Sequence, residues 1–188
     1  MRSPIKQTVT PTAAGGAFGP WIPLDYTQRP FNVALMVSLS SDAAGITYSV
    51  EYTPDNPNQG KSTRNNLVSL LRAAAVATAV FANPHGVVTG DALKVYNSGD
   101  PNLDGDQAIT AAPSITSLQY ACGNTGLLVA SPYVEAIPIR VYPHATLVAL
   151  AAKAAGNFAF PCMACRLHIT AWTAGSATLE VIQGYGRG

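Results

Sequence analysis

Residues Asn157–Gln183 read NFAFPCMACRLHITAWTAGSATLEVIQ, two period-two runs separated by a short loop. In the first run Leu167, Ile169 and Ala171 alternate with Arg166, His168, Thr170 and Trp172. In the second, Leu179 and Val181 alternate with Thr178, Glu180 and Ile182. Such alternation sends successive side chains to opposite faces, so each run predicts a half-buried strand. Between them lies Thr173-Ala174-Gly175-Ser176, whose glycine can take the positive φ of a tight reversal, and a β-hairpin is expected. Two strands bury too little apolar surface to stand alone, so the rest of the chain must supply partners.

The first half repeats the pattern. Asn32–Ser40 sets Val33, Leu35, Val37 and Leu39 on one face; after SSDAAG, Ile46, Tyr48, Val50 and Tyr52 alternate with Thr47, Ser49, Glu51 and Thr53, and a second hairpin is expected. Residues 1–20, rich in Thr, Ala, Gly and Pro and without periodicity, read as an extended N-terminal arm, disordered alone or ordered by a partner. The domain is expected to begin at Trp21 and to run over 21–188 with an insertion at about 60–140. Within the insertion, PDNPNQGKSTRNN (54–66) reads as a loop. LVSLLRAAAVATAVFA (67–82) then places Leu67, Leu70, Leu71, Ala74, Ala77 and Phe81 at helical spacing between a capping Asn66 and the Asn83-Pro84 stop. A helix is expected there, although Val76, Thr78 and Val80 also suit a strand. Short β-like runs follow around Leu93–Tyr96, Ile115–Tyr120, Leu127–Ala130 and Ile137–Tyr142, the last at a sheet edge because of Pro138. ATLVALAAKAA (145–155) stays open between helix and strand.

Composition narrows the class. Charged residues make up 11% of the 188, against the usual ~25% of soluble chains, which suggests a surface partly covered by other protein. A net charge of +1 and scattered basic residues point away from nucleic acid. Sixteen Gly and 14 Pro favour a turn-rich β protein. Cys122, Cys162 and Cys165 are too few, and odd in number, for a disulfide framework, so synthesis in a reducing cytoplasm is expected. Neither a secretory signal nor a membrane-spanning run is read in the sequence, and no membrane partner is expected.

Three motifs invite chemistry. Asp100-Pro101-Asn102-Leu103-Asp104-Gly105-Asp106 spaces oxygen ligands as a calcium loop begins, yet Ala111 stands where a bidentate Glu is needed, so an acidic surface turn is the expected role. Cys162-Met163-Ala164-Cys165 has CxxC spacing, but Pro161 precedes it, a strand follows it and only Cys122 remains as a further thiol; two small core residues are expected. His85, His144 and His168 fit no nucleophile arrangement, Asn124-Thr125-Gly126 reads as a turn, and the histidines are expected to be hydrogen-bonding surface or edge residues. The aromatics, Tyr133 included, are assigned to core packing. Trp172 is the exception, placed under a loop or against another subunit. No catalytic, cofactor-binding or metal-ligating residue is nominated, and no enzyme is expected.

PWIPLDYTQRPFNVALMVSLSSDAAGITYSVEYTPDNP (20–57) and AAGNFAFPCMACRLHITAWTAGSATLEVIQG (154–184) together resemble a group of small tailed-bacteriophage virion proteins. The shared pattern is a Trp-containing opening, a YSVEYT-like strand, a GN-aromatic-A-aromatic-P segment, an Arg-Leu-aliphatic strand and a TLEVIQG-like close. The resemblance implies a mostly-β antiparallel sandwich of jelly-roll type and a role as a capsid decoration (cement) protein on the virion exterior. The implied partners are the major capsid protein and further copies of the chain itself. A tail or head-to-tail component and a carbohydrate-binding module are the alternatives. Residues 60–140 have no counterpart in the resemblance.

Overall fold

The computed structural model describes residues 4–12, 17–57, 67–123, 128–129 and 134–184. Among them sixteen strands and no helix are found. In chain order they are β1 (Ile5–Val9), β2 (Ala17–Phe18), β3 (Ile22–Pro23), β4 (Val33–Leu39), β5 (Thr47–Thr53), β6 (Leu67–Ala73), β7 (Val76–Phe81) and β8 (Ala92–Tyr96). There follow β9 (Gly105–Ser114), β10 (Ser117–Ala121), β11 (Leu128–Val129), β12 (Glu135–Ile139), β13 (Tyr142–Pro143), β14 (Ala154–Phe158), β15 (Ala164–Ala171) and β16 (Ala177–Gln183). The chain divides into two compact units, Met1–Asn56 with Tyr142–Gly188, and Pro57–Val141.

The first unit is a sandwich of two antiparallel sheets. One has the order β1-β16-β4-β14; the other has the order β13-β5-β15-β2, with β3 also paired to β15. Period two explains the layering. Val33, Leu35 and Val37 of β4 and Leu179 and Val181 of β16 meet Tyr48 and Val50 of β5 and Cys165, Leu167 and Ile169 of β15 in one buried core. The chain changes sheets at almost every step: β1 lies in the first sheet, β2 and β3 in the second, β4 in the first and β5 in the second. After the other unit, β13 stays in the second sheet, β14 lies in the first, β15 in the second and β16 in the first.

Neither expected hairpin forms. β15 and β16 lie in different sheets, as do β4 and β5, so each pair is an arch that crosses the core. Its strands bond instead to those of the other arch: Ala177↔Leu39 through Gln183↔Val33 in one sheet, and Ala164↔Thr53 through Ala171↔Thr47 in the other. Two alternating runs joined by a short loop can bury their apolar faces side by side or face to face; facing each other across a sandwich lets both be covered. The two arch loops dock together, with Ala44 N donating to Ala174 O and Ala174 N to Ala44 O, both at 3.1 Å.

Part of the stretch read as an arm joins the chain's own sheet. Ile5–Val9 pairs antiparallel with Ala177–Val181, and Val9 is buried in the core. Residues 145–153 are irregular, with Ala149 at φ 52° and one bridge from Leu150 to Tyr48, and the strand begins only at Ala154.

The second unit is one seven-stranded antiparallel sheet, β11-β6-β7-β10-β9-β8-β12. Its core holds Leu70, Phe81, Leu93, Leu103, Ile109, Leu118 and Tyr120. Pro138 lies in β12, at the sheet edge. The helix expected over 67–82 is instead the hairpin β6–β7. Ala74 and Ala75 turn it with φ of 47° and 64°, a left-handed pair that a helix cannot hold, and Ala77, Ala79 and Phe81 alternate inward at period two. Two left-handed alanines are strained. The double substitution A74N/A75G is therefore expected to stabilise this unit by about 1–2 kcal/mol, read as a higher urea midpoint with an unchanged slope. The expected Asn66 cap, the turn at Asn124-Thr125-Gly126 and Tyr133 lie outside the described residues.

Candidate functional site

The outer face of the β13-β5-β15-β2 sheet carries a cluster of charged and aromatic side chains. Glu51 on β5 stands opposite Arg166 on β15. The Arg166 Nε donates to Glu51 Oε2 at 2.8 Å, and His168 Nδ1 lies 2.7 Å from Glu51 Oε1, so both carboxylate oxygens are engaged. The Arg166 guanidinium lies 4.2 Å from the Phe18 ring centre and 4.3 Å from that of Trp21, while His168 stacks on Phe18 at 4.1 Å. Phe18 and Trp21 thus cover a cation that is only 2% exposed, an arrangement that the planar guanidinium favours over the point charge of a lysine.

Burial alone would raise the pKa of Glu51, but the His168 hydrogen bond and the Arg166 charge outweigh it and hold the carboxyl below its ordinary 4.5. A depressed carboxyl contributes stability that is fully present above the ordinary value and is lost as pH falls through the folded one. The thermal midpoint is accordingly expected to drop more steeply below about pH 4.5 in the native chain than in Glu51→Gln. Parallel pH curves would show that the carboxylate contributes nothing.

The candidates from sequence take structural parts. Asp100 Oδ1 accepts from Asn102 N and Nδ2, both at 2.9 Å, and its Oδ2 pairs with the buried Arg72 guanidinium. These contacts, the Asn102 backbone N–H first and Arg72 after it, hold the Asp100 pKa below the usual range. Asp104 Oδ1 accepts from Ser98 N at 2.9 Å. A cation seated on Asp100 would have to displace Arg72, and no group of three or more metal-ligating side chains occurs among the described residues. Cys162 and Cys165 are buried in the first core as free thiols. Burial pushes Cys162 up to about 12 and also raises Cys165, which keeps both protonated and unreactive.

His85 and His144 are buried rather than on the surface. Each accepts a backbone N–H on Nδ1, from Val87 and Leu147 respectively, and places Nε2 on a carbonyl, of Ser114 and Asn157. Trp172 packs over its own loop, its Nε1 donating to Gly175 O at 2.8 Å. Phe31, Tyr48, Phe81, Tyr120 and Phe158 are buried in the two cores, whereas Tyr26, Tyr142 and Phe160, also assigned to core packing, are 46%, 43% and 46% exposed, the last two flanking Tyr52 at 5.5 and 5.1 Å.

Sequence reading missed the Glu51–Arg166–His168 group. Its trace was present: opposite charges on the outward positions of two alternating runs are a cross-strand pairing signal. A second feature is legible only in three dimensions. On β6, β7 and β10 the sole charged residue, Arg72, is buried, so their outward side chains, among them Leu71, Val76, Thr78, Val80 and Gln119, form a charge-free face. Among the described residues no helix is long and apolar enough to cross a membrane. Compared with known protein families, with curated proteins and with solved structures, the chain matches none.

Proposed function

We propose that this protein is a non-enzymatic structural component of a bacteriophage virion that binds the outside of the capsid shell and stabilises it as a decoration protein. The observation that carries this reading is the strand order of the first unit. Taking β2 and β3 as one strand, the two sheets run β1-β16-β4-β14 and β3-β15-β5-β13. With the chain passing between them as described, that order reads as a jelly roll, an architecture of viral capsid and lectin domains. A fold hosts many functions, so the site must add to the argument. It does so through the charge-free outer face of the second unit, where Leu71 and Val76 are 40% and 39% exposed. An uncharged β surface suits burial against another protein better than permanent exposure to water.

Co-sedimentation with capsid shells that lack the protein tests the reading. Saturable binding is expected, and L71D/V76D should weaken it by about tenfold or more while leaving the urea midpoint nearly unchanged. No binding to shells overturns the reading, and binding to isolated tails instead points to a tail or head-to-tail component. One observation favours a carbohydrate-binding module as second reading: the half-exposed Tyr142 and Phe160 around Tyr52. A rise in melting temperature on adding host-surface glycans, without shell binding, would favour it.

A further inference from the structure

We infer that the outer face of the β1-β16-β4-β14 sheet is a self-association surface whose occupant is a second copy of this chain. A groove of about 390 Å³ lies on this face, with Met36, Ser38 and Ala155 among its lining residues and the charged side chains of Lys153 and Glu180 at its sides. The register fixes where those charges stand. Glu180 on β16 is the partner of Met36 on β4, and Met36 is the partner of Ala155 on β14, two residues beyond Lys153. The carboxylate and the ammonium therefore flank β4 on opposite sides. Glu180 pairs with Lys6 at 3.2 Å, whereas Lys153 is exposed and makes no ion pair with a described residue.

A surface with opposite charges on either side of a central line is complementary to itself. A two-fold axis running along β4, in the plane between two such faces, places each copy's Glu180 over the other's Ala155. Lys153 stands two residues, about 7 Å, further along, a span its long side chain crosses, so one operation forms two ion pairs. Along the central strand the face permits close stacking. Ala34, Met36 and Ser38 are the outward residues of β4, and only Met36, 43% exposed, is large. Two stacked sheets lie about 10 Å apart, and the flexible Met36 side chains meet at the axis with the groove beside them to fill. A partner carrying a single sign of charge would leave one of the two groups facing its like.

With the axis on β4, three strands face their mates, β16 over β14, β4 over β4 and β14 over β16. At about 4.8 Å spacing and about 20 Å length they cover roughly 300 Å² per copy, which sets this contact among the small, reversible interfaces. Dimerisation is therefore expected to depend on concentration, and it does not depend on what else the protein binds. Sedimentation velocity of the full chain from about 1 to 300 µM is the test. The native chain should pass from monomer to dimer across that range. Lys153→Glu should weaken the dimer about tenfold or more by setting like charges together, and the exchange K153E/E180K should restore it. Met36→Glu should abolish it. A native chain that stays monomeric overturns the inference, as does association unchanged by Lys153→Glu or not restored by the exchange. Far-ultraviolet dichroism of each variant separates lost association from lost folding.

Discussion

Replacing Arg166 with alanine is expected to destabilise the first unit by about 3–5 kcal/mol, the range for removing one partner of a buried ion pair. Arg166 is 2% exposed, its Nε sits 2.8 Å from Glu51 Oε2, and two aromatic rings cover its guanidinium at 4.2 and 4.3 Å. Alanine would leave the Glu51 carboxylate desolvated with His168 as its remaining side-chain partner, and it would leave Phe18 and Trp21 without the group they pack on. Both losses fall on the segment that carries β2 and β3, which adds to the edge of the sheet through two residue pairs for each strand. The two tryptophans, Trp21 and Trp172, both lie in this unit, so urea unfolding followed by tryptophan fluorescence reports on it selectively. The double variant E51Q/R166M should recover much of the loss, because a buried pair can be exchanged for neutral groups of similar volume when neither charge is left behind. A loss below about 1 kcal/mol for Arg166→Ala would place the pair among exposed surface bridges and contradict the covered-cation description.

Gly175→Ala is the second large expected effect, and it separates an arch from a hairpin. In the turn of a free hairpin, an alanine at φ +82° would pay only for its left-handed backbone, about 1–2 kcal/mol. Here a Cβ on Gly175 would lie 2.5 Å from Ala43 Cα and 2.7 Å from Ala43 N, which are backbone atoms of the opposite arch and cannot swing aside. Overpacking adds to the backbone term, giving about 3–5 kcal/mol in all. Gly99 supplies the control. Its φ is +86° and a Cβ there meets nothing within 4 Å, so Gly99→Ala should cost only the backbone term of about 1–2 kcal/mol. Equal effects at the two glycines, each read from the unfolding of its own unit, would mean that the arch loops do not touch.

The same glycine marks the limit of what periodicity can say. Alternation in Val33–Leu39, Thr47–Thr53, Ala164–Ala171 and Ala177–Gln183 identified four strands and their buried faces, except at Ala171, which a register shift after Ile169 leaves exposed, because burial of one face is a local property of each strand. It said nothing about pairing: a short glycine-containing loop between two such runs serves a hairpin or an arch equally. Glu51 and Arg166 held that information as an outward cross-strand charge pair. The helix expected over 67–82 failed on Ala74 and Ala75, which have high helix propensity yet adopt φ of 47° and 64°, a tertiary override that no residue type announced. β9 was overlooked because Ile109 is its only large apolar residue, so it carries no alternating signal. Of the surfaces, the weak overall charge was legible. Its concentration into one charge-free face on β6, β7 and β10 depended on a fold that the helix expectation had excluded.

The proposed function rests on the proposed jelly roll, and the jelly roll rests on arches, so strand pairing is the measurement to make. Ser38 on β4 and Thr178 on β16 are register partners, whereas a hairpin of β15 with β16 would instead set Thr170 beside Thr178. Cysteines introduced as S38C/T178C and as T170C/T178C can be treated with a short thiol cross-linker and digested for mass spectrometry, the buried Cys162 and Cys165 reacting slowly because their thiols stay protonated. The arch arrangement predicts efficient cross-linking of S38C/T178C and little of T170C/T178C. The reverse pattern would contradict it, returning the first unit to side-by-side hairpins and removing the ground for a capsid-type jelly roll.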